Sequence, residues 1–127
     1  MKETWKPGTV LYPLPAVLVS CGAAPEEYNL LTVAWTGTVC TDPPICYVSI
    51  RPERHSYGSI RRTGEFVINL TTRRLARATD WCGVRSGRDY DKFREAGLTP
   101  VPAGRVAAPL VDEAPVNIEC RVRQVLP

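Results

Sequence analysis

The sequence predicts a mainly β protein with short helices, a small barrel carrying helical insertions, and three features carry that expectation. Short runs rich in Val, Ile, Leu, Tyr and Trp follow one another through the first half of the chain. Gly22-Ala23-Ala24-Pro25 and Thr41-Asp42-Pro43-Pro44 break them apart, since each proline fixes its own φ and restricts its predecessor. No GxGxxG follows the first strand, which argues against a doubly wound dinucleotide fold.

Taken in order, residues 9–11, 16–21, 30–39 and 45–50 read as strands of an antiparallel meander. Residues 56–63 read as a helical turn after Pro52, with Ile60 on its apolar side and Gly64 as a left-handed stop. Residues 65–70 return to strand character. Leu75, Ala78, Thr79 and Cys82 then recur at helical spacing, with Gly83 beyond them as the terminator. Residues 85–97 read as a polar loop entering a brief helix that Gly97 ends, and Pro100 and Pro102 limit regular structure after it. Val116, Ile118, Cys120 and Val122 alternate with polar neighbours, the period-two pattern of a half-buried strand.

A chain of 127 residues fits one compact domain, 1–127. Its 44% apolar and 23% charged content suits a packed globule. A net charge of +3 does not point to nucleic acid. The arginines and lysines crowded between Arg51 and Arg94 suit either a small phosphorylated ligand or a solvated basic surface. Five cysteines include no CxxC pair and leave one over, so reduced, mostly buried thiols are expected, with no disulfide framework and no metal site. His55 is the single histidine and has no triad or metal spacing around it. With no signal-peptide core and no bilayer-length run, a cytoplasmic protein without a membrane partner is expected.

The chemistry concentrates in Ser49-Ile50-Arg51-Pro52-Glu53-Arg54-His55-Ser56-Tyr57. A strand ends in an arginine, a proline turns the chain, and a serine opens a helix. Helix-start amides, a hydroxyl and a planar guanidinium together suit a phosphate. The plainer reading has Ser56 capping the helix and Arg51 meeting solvent.

Ser49-Ile50-Arg51-Pro52 with Ser56-Tyr57 stands between the upstream Asn29-Leu30-Leu31-Thr32-Val33-Ala34-Trp35 and the downstream Ser86-Gly87-Arg88-Asp89-Tyr90-Asp91-Lys92-Phe93. In order and spacing these segments resemble the flavoredoxin-like branch of the flavin reductase family. Residues 65–70 and 114–120 resemble its core strands, so the likeness spans residues 12–122.

The resemblance implies an FMN-binding split β-barrel, Greek-key-like, usually a homodimer with flavin near the subunit interface. By position, Asn29, Thr32, Trp35 and Thr36 would line the isoalloxazine and ribityl region. Ser49, Ile50 and Arg51 would run beside the cofactor, and Arg51, Ser56 and Lys92 would hold its phosphate, with Tyr57 next to Ser56. The implied activity is that of an FMN-dependent oxidoreductase taking electrons from NADH or NADPH and passing them to an acceptor such as a partner protein. The alternative is a non-catalytic flavin- or haem-binding or dimerisation module. No catalytic side chain is singled out, because hydride chemistry belongs to a flavin. Members of the family usually continue past the Glu119-Cys120 strand, so a barrel lacking its last strands, with an open edge, is expected.

Overall fold

The computed structural model describes residues 1–127. The chain is assembled around β1 (Val17–Cys21), all five residues of which are buried. On one side β1 pairs antiparallel with β2 (Asn29–Val33), on the other with β5 (Glu65–Leu70), and β5 pairs in turn with β8 (Asn117–Arg121). The sheet order is therefore β2-β1-β5-β8, and the sheet does not close into a full barrel. β3 (Thr36–Cys40) and β4 (Ile45–Val48) form a separate hairpin, and β6 (Pro100–Val101) pairs with β7 (Leu110–Val111) in a second one. Three α-helices, α1 (His55–Thr63), α2 (Ala76–Val84) and α3 (Lys92–Glu95), and two single 3-10 turns complete the chain.

Both faces of the main sheet are covered, by different partners. Successive side chains of a strand point to opposite faces. Val17, Val19 and Cys21 join Leu31, Val33, Phe66 and Ile68 on one face, where Ile60 of α1 and Cys46, Val48 and Ile50 pack. Leu18 and Leu30 look the other way, toward Leu75, Cys82, Phe93, Leu98 and Val111. A strand buried on both faces has no reason to alternate, which is why β1 is apolar at every position but Ser20.

Among the polar groups beside that second core, Asn69 joins the most strands. Asn69 of β5 is fully buried and donates to the Leu18 carbonyl at 2.9 Å and the Ser20 hydroxyl at 3.0 Å. Its carbonyl oxygen accepts from the Val111 amide at 3.0 Å and the Asn117 carboxamide at 2.7 Å. A single side chain thus ties β1, β5, β7 and β8 together, and its bonds to Leu18, Ser20 and Val111 lie in a low-dielectric interior.

Several elements differ from expectation for physical reasons. Residues 9–11 form no strand, because nothing in the sheets pairs with them. The run over 30–39 breaks at Ala34-Trp35, where the chain leaves the main sheet for the hairpin. The meander is interrupted as well: β5, not β3, takes the place beside β1, a Greek-key-like return. Gly83 lies inside α2 instead of ending it, and a Cβ there would stand 3.3 Å from the Thr32 Cβ, so the glycine permits close helix-on-strand packing. Gly64 does end α1, at φ 70°. No helix is long and apolar enough to cross a membrane.

Replacing Asn69 with leucine would strand the Val111 amide and remove the carboxamide bonds to the Leu18 carbonyl and the Ser20 hydroxyl. The expected loss in urea unfolding is about 3 kcal/mol, with an unchanged slope. A loss below about 1 kcal/mol would show that the interior tolerates these groups unpaired.

Candidate functional site

A polar cavity of about 230 Å³ opens at the edge of the main sheet, where β2 has no further strand beside it. Three segments converge on it: Asn29 and Leu31 from β2, Glu53 to Ser56 at the entry to α1, and the stretch from Gly83 to Gly87 with Lys92 after α2. The strand places Asn29 and Leu31 on one face because they are two residues apart.

Arg54, in extended conformation, precedes α1 and offers no side-chain cap. The amides of His55 and Ser56 therefore lie ahead of the first intrahelical acceptor and add a partial positive charge to the cavity. Ser56 does not cap the helix. It is buried in the first turn, where its hydroxyl accepts from the Asn29 carboxamide at 2.7 Å. Arg54 reaches across to the Gly83 carbonyl at 3.3 Å, joining the entry of α1 to the end of α2.

Lys92 is the strongest feature. Only 2% of it is exposed, and its ammonium donates to the Cys82 carbonyl at 2.8 Å, one of the carbonyls that the end of α2 leaves free. It forms no ion pair; the two pairs in the chain are Arg51–Glu53 and Arg62–Glu27. Burial pulls the amine down to about 8, with Arg54 adding to the fall while the Cys82 and Cys21 thiols oppose it. Those thiols supply little negative charge, because burial pushes both upward. A buried cation without a carboxylate partner, beside free helix-start amides and a hydroxyl, has the chemistry that suits an anion.

Gly87 closes the cavity. A Cβ at that position would collide with the Asn29 carboxamide and the His55 ring, so the backbone approaches as only glycine allows. Next to the cavity, and sharing Gly83 and Val84 with it, runs a shallower groove of about 500 Å³ lined by Ala16, Thr32, Thr71, Thr72, Thr79 and Asp80 among others.

Of the ten positions singled out in the sequence, the structure brings Asn29, Ser56 and Lys92 together in the cavity. Thr32, three residues from Asn29, points to the opposite face of β2, lines the groove and donates to the Thr79 carbonyl at 2.5 Å. Trp35, Thr36, Ser49 and Ile50 gather at the base of the β3–β4 hairpin. There the Ser49 amide donates to the Trp35 carbonyl at 2.9 Å, and the Thr36 hydroxyl donates to the Tyr47 carbonyl at 2.8 Å. Trp35 is 46% exposed and Ile50 packs toward the core. Arg51 lies outside the cavity lining, exposed and 2.6 Å from Glu53, and Tyr57 is half-buried on α1. The sequence reading assigned no cofactor contact to Arg54, His55, Arg85, Ser86 and Gly87, all of which line the cavity. The signal for Arg54 and His55 was their place directly before Ser56, at the helix start.

Between pH about 8 and 10.5 the unfolded chain keeps a proton on Lys92 that the ligand-free folded chain has lost, so stability rises with pH across that window, by about 3 kcal/mol in all. Lys92→Met removes this dependence. Without ligand the variant is expected to melt higher than the parent at pH 7, with the gap shrinking between pH 8 and 10.5. A gap that does not change with pH would contradict the buried, unpaired ammonium.

The chain resembles the flavoredoxin of Desulfovibrio vulgaris (Miyazaki F), at 38% identity and a TM-score of 0.92 over 99% of this chain and 69% of that one. It matches the flavoredoxin of Methanosarcina acetivorans at 26% identity and a TM-score of 0.85, over 99% and 67% of the two chains. An uncharacterised protein of Pyrococcus abyssi is 33% identical over 113 residues, 89% of this chain and 64% of that protein. The chain thus spans somewhat less than two thirds of that curated relative. The flavin reductase like domain model matches residues 9–127, so the chain belongs to the flavin reductase-like family and has its split-barrel fold.

Proposed function

We propose that the chain binds FMN and serves as an oxidoreductase of the flavin reductase or flavoredoxin type. The observation that carries this reading is the buried, unpaired Lys92 sharing a cavity with Ser56 and the start of α1. A phosphate monoester dianion matches that donor set, which combines an ammonium, a hydroxyl, free amides and the Arg54 guanidinium. At about 230 Å³ the cavity falls short of the ~300 Å³ at which pockets for whole small molecules begin. It takes the phosphate end, and the rest of the molecule extends along the edge of β2. Arg51, which the family resemblance also assigns to the phosphate, must first give up Glu53 to join it.

The edge of β2 suits the remainder of such a ligand. Backbone groups on the outer side of an edge strand lack sheet partners and are free for a polyol. Thr32, Trp35, Thr36, Ser49 and Ile50 then stand along the ring, with Trp35 exposed enough to face it. Bound FMN would supply two-electron transfer from NADH or NADPH to an acceptor such as a partner protein. The protein's share is to hold the phosphate at Lys92 and to orient the ligand from that anchor. A homodimer fits the apolar residues left uncovered on the N-terminal segment and hairpin, among them Leu11, Tyr12, Val39 and Tyr47.

The test is a fluorescence titration with FMN and with riboflavin, which lacks the phosphate. Lys92→Met is expected to weaken FMN by about 10- to 100-fold and riboflavin by less than about 3-fold, the scale of one charge-assisted bond. Arg54→Ala is expected to weaken FMN more than Arg51→Ala does. Equal losses for both ligands, or no quenching by FMN in the parent, would contradict the assignment. Oxidation of NADH or NADPH with FMN present tests the enzymatic part separately.

A further inference from the structure

Cys46 on β4 and Cys120 on β8 are 74 positions apart, and their strands belong to different sheets. Their Sγ atoms nevertheless stand 3.8 Å apart, and no other two thiols in the chain are in hydrogen-bond contact. Both are half-buried, unlike the fully buried Cys21 and Cys82, so the expectation of mostly buried thiols fails for this pair. Both also pack against the core cluster of Val17, Val19, Phe66 and Ile68.

We propose that Cys46 and Cys120 are a reversible dithiol, which small-molecule disulfides oxidise to an intramolecular disulfide tying the β3–β4 hairpin to the edge of the main sheet. A disulfide needs its sulfurs about 2.05 Å apart, so they must close by roughly 1.8 Å from their present contact. The hairpin can make that move because its strands hydrogen-bond to each other and not to the main sheet. Cys120 holds its proton firmly: burial, then the neighbouring Cys46, push it up to about 12. Either sulfur can open the exchange, with the same balance.

Where Cys46 opens it, the Cys46 thiolate attacks one sulfur of the oxidant RSSR, the S–S bond breaks, and RS⁻ leaves with the electron pair, giving a mixed disulfide at Cys46. Cys120 then gives up its proton and attacks the Cys46 sulfur, releasing the second RS⁻. The two thiol protons end on two RSH, so the protein is oxidised by two electrons and the oxidant reduced by two. From β4 the chain runs through Ser49 and Ile50 to the start of α1, so the bond braces the segment that leads into the polar cavity. The dithiol itself does not depend on what that cavity binds.

The test equilibrates the reduced full chain with graded ratios of glutathione disulfide to glutathione, quenches in acid, alkylates free thiols and maps peptides by mass. The expected result is a peptide joining Cys46 to Cys120, the loss of two alkylatable thiols and of two hydrogens in mass, and full reversal by excess glutathione. Cys46→Ser and Cys120→Ser should each abolish the cross-link, the latter leaving a stable glutathione adduct on Cys46. Cys40→Ser should form the 46–120 bond as the parent does. A parent that carries a persistent glutathione adduct at Cys46 with no 46–120 peptide, or that links Cys46 to Cys40 instead, would overturn the proposal. The parent's peptide map decides even if a variant fails to fold.

Discussion

A sheet buried on both faces leaves polar chemistry almost nowhere to go except its edges, and that constraint organises this molecule. β1 lies between two apolar layers, one with α1 and the hairpin, the other with α2, α3 and β7. Where Asn69 enters the interior, its nitrogen and its oxygen are both matched by partners. The polar cavity forms where β2 ends the sheet and two helix termini meet it. Lys92 is a different case, a buried ammonium whose protein partner is a carbonyl and not a carboxylate. A fold that satisfies Asn69 so completely and leaves Lys92 without a carboxylate is one that an anion from outside the chain would complete.

The two pockets follow from the parity of a strand. Asn29 and Thr32 are separated by an odd number of positions, so they serve opposite faces of β2 and open on different cavities. Because β2 is an edge, the two cavities meet around it at Gly83 and Val84. Small residues there matter: Gly83 lets α2 approach Thr32, and Gly87 lets the following loop close over Asn29 and His55. A ligand with an anionic end and a longer neutral body can use both.

Much of the scaffold was legible in the sequence because it rests on local signals. β1, β5 and β8 are marked by apolar runs or alternation, and α1 by Pro52 and Gly64. The clustering of Asn29, Ser56 and Lys92 was reached through the order of motifs and not through periodicity, which does not reveal that residues 27 and 36 positions apart share a cavity. What stayed hidden depends on tertiary contact. Gly83 reads as a helix stop until Thr32 is seen against it, and the break at Ala34-Trp35 is invisible in an unbroken β-rich run. β6 and β7 are two residues each, too short for any pattern. Arg51 stands at the right place in sequence for an anion, yet Glu53 two residues on holds it, and Arg54 faces the cavity instead.

The most direct test of this account is an NMR titration of the Lys92 side-chain amine, carried out with and without FMN. In the free protein the amine is expected to titrate near 8, and saturating FMN is expected to carry it back toward or above the ordinary lysine value, as a neighbouring phosphate restores the charged form. A midpoint near 10.5 in the free protein, or one that FMN leaves unmoved, would contradict it.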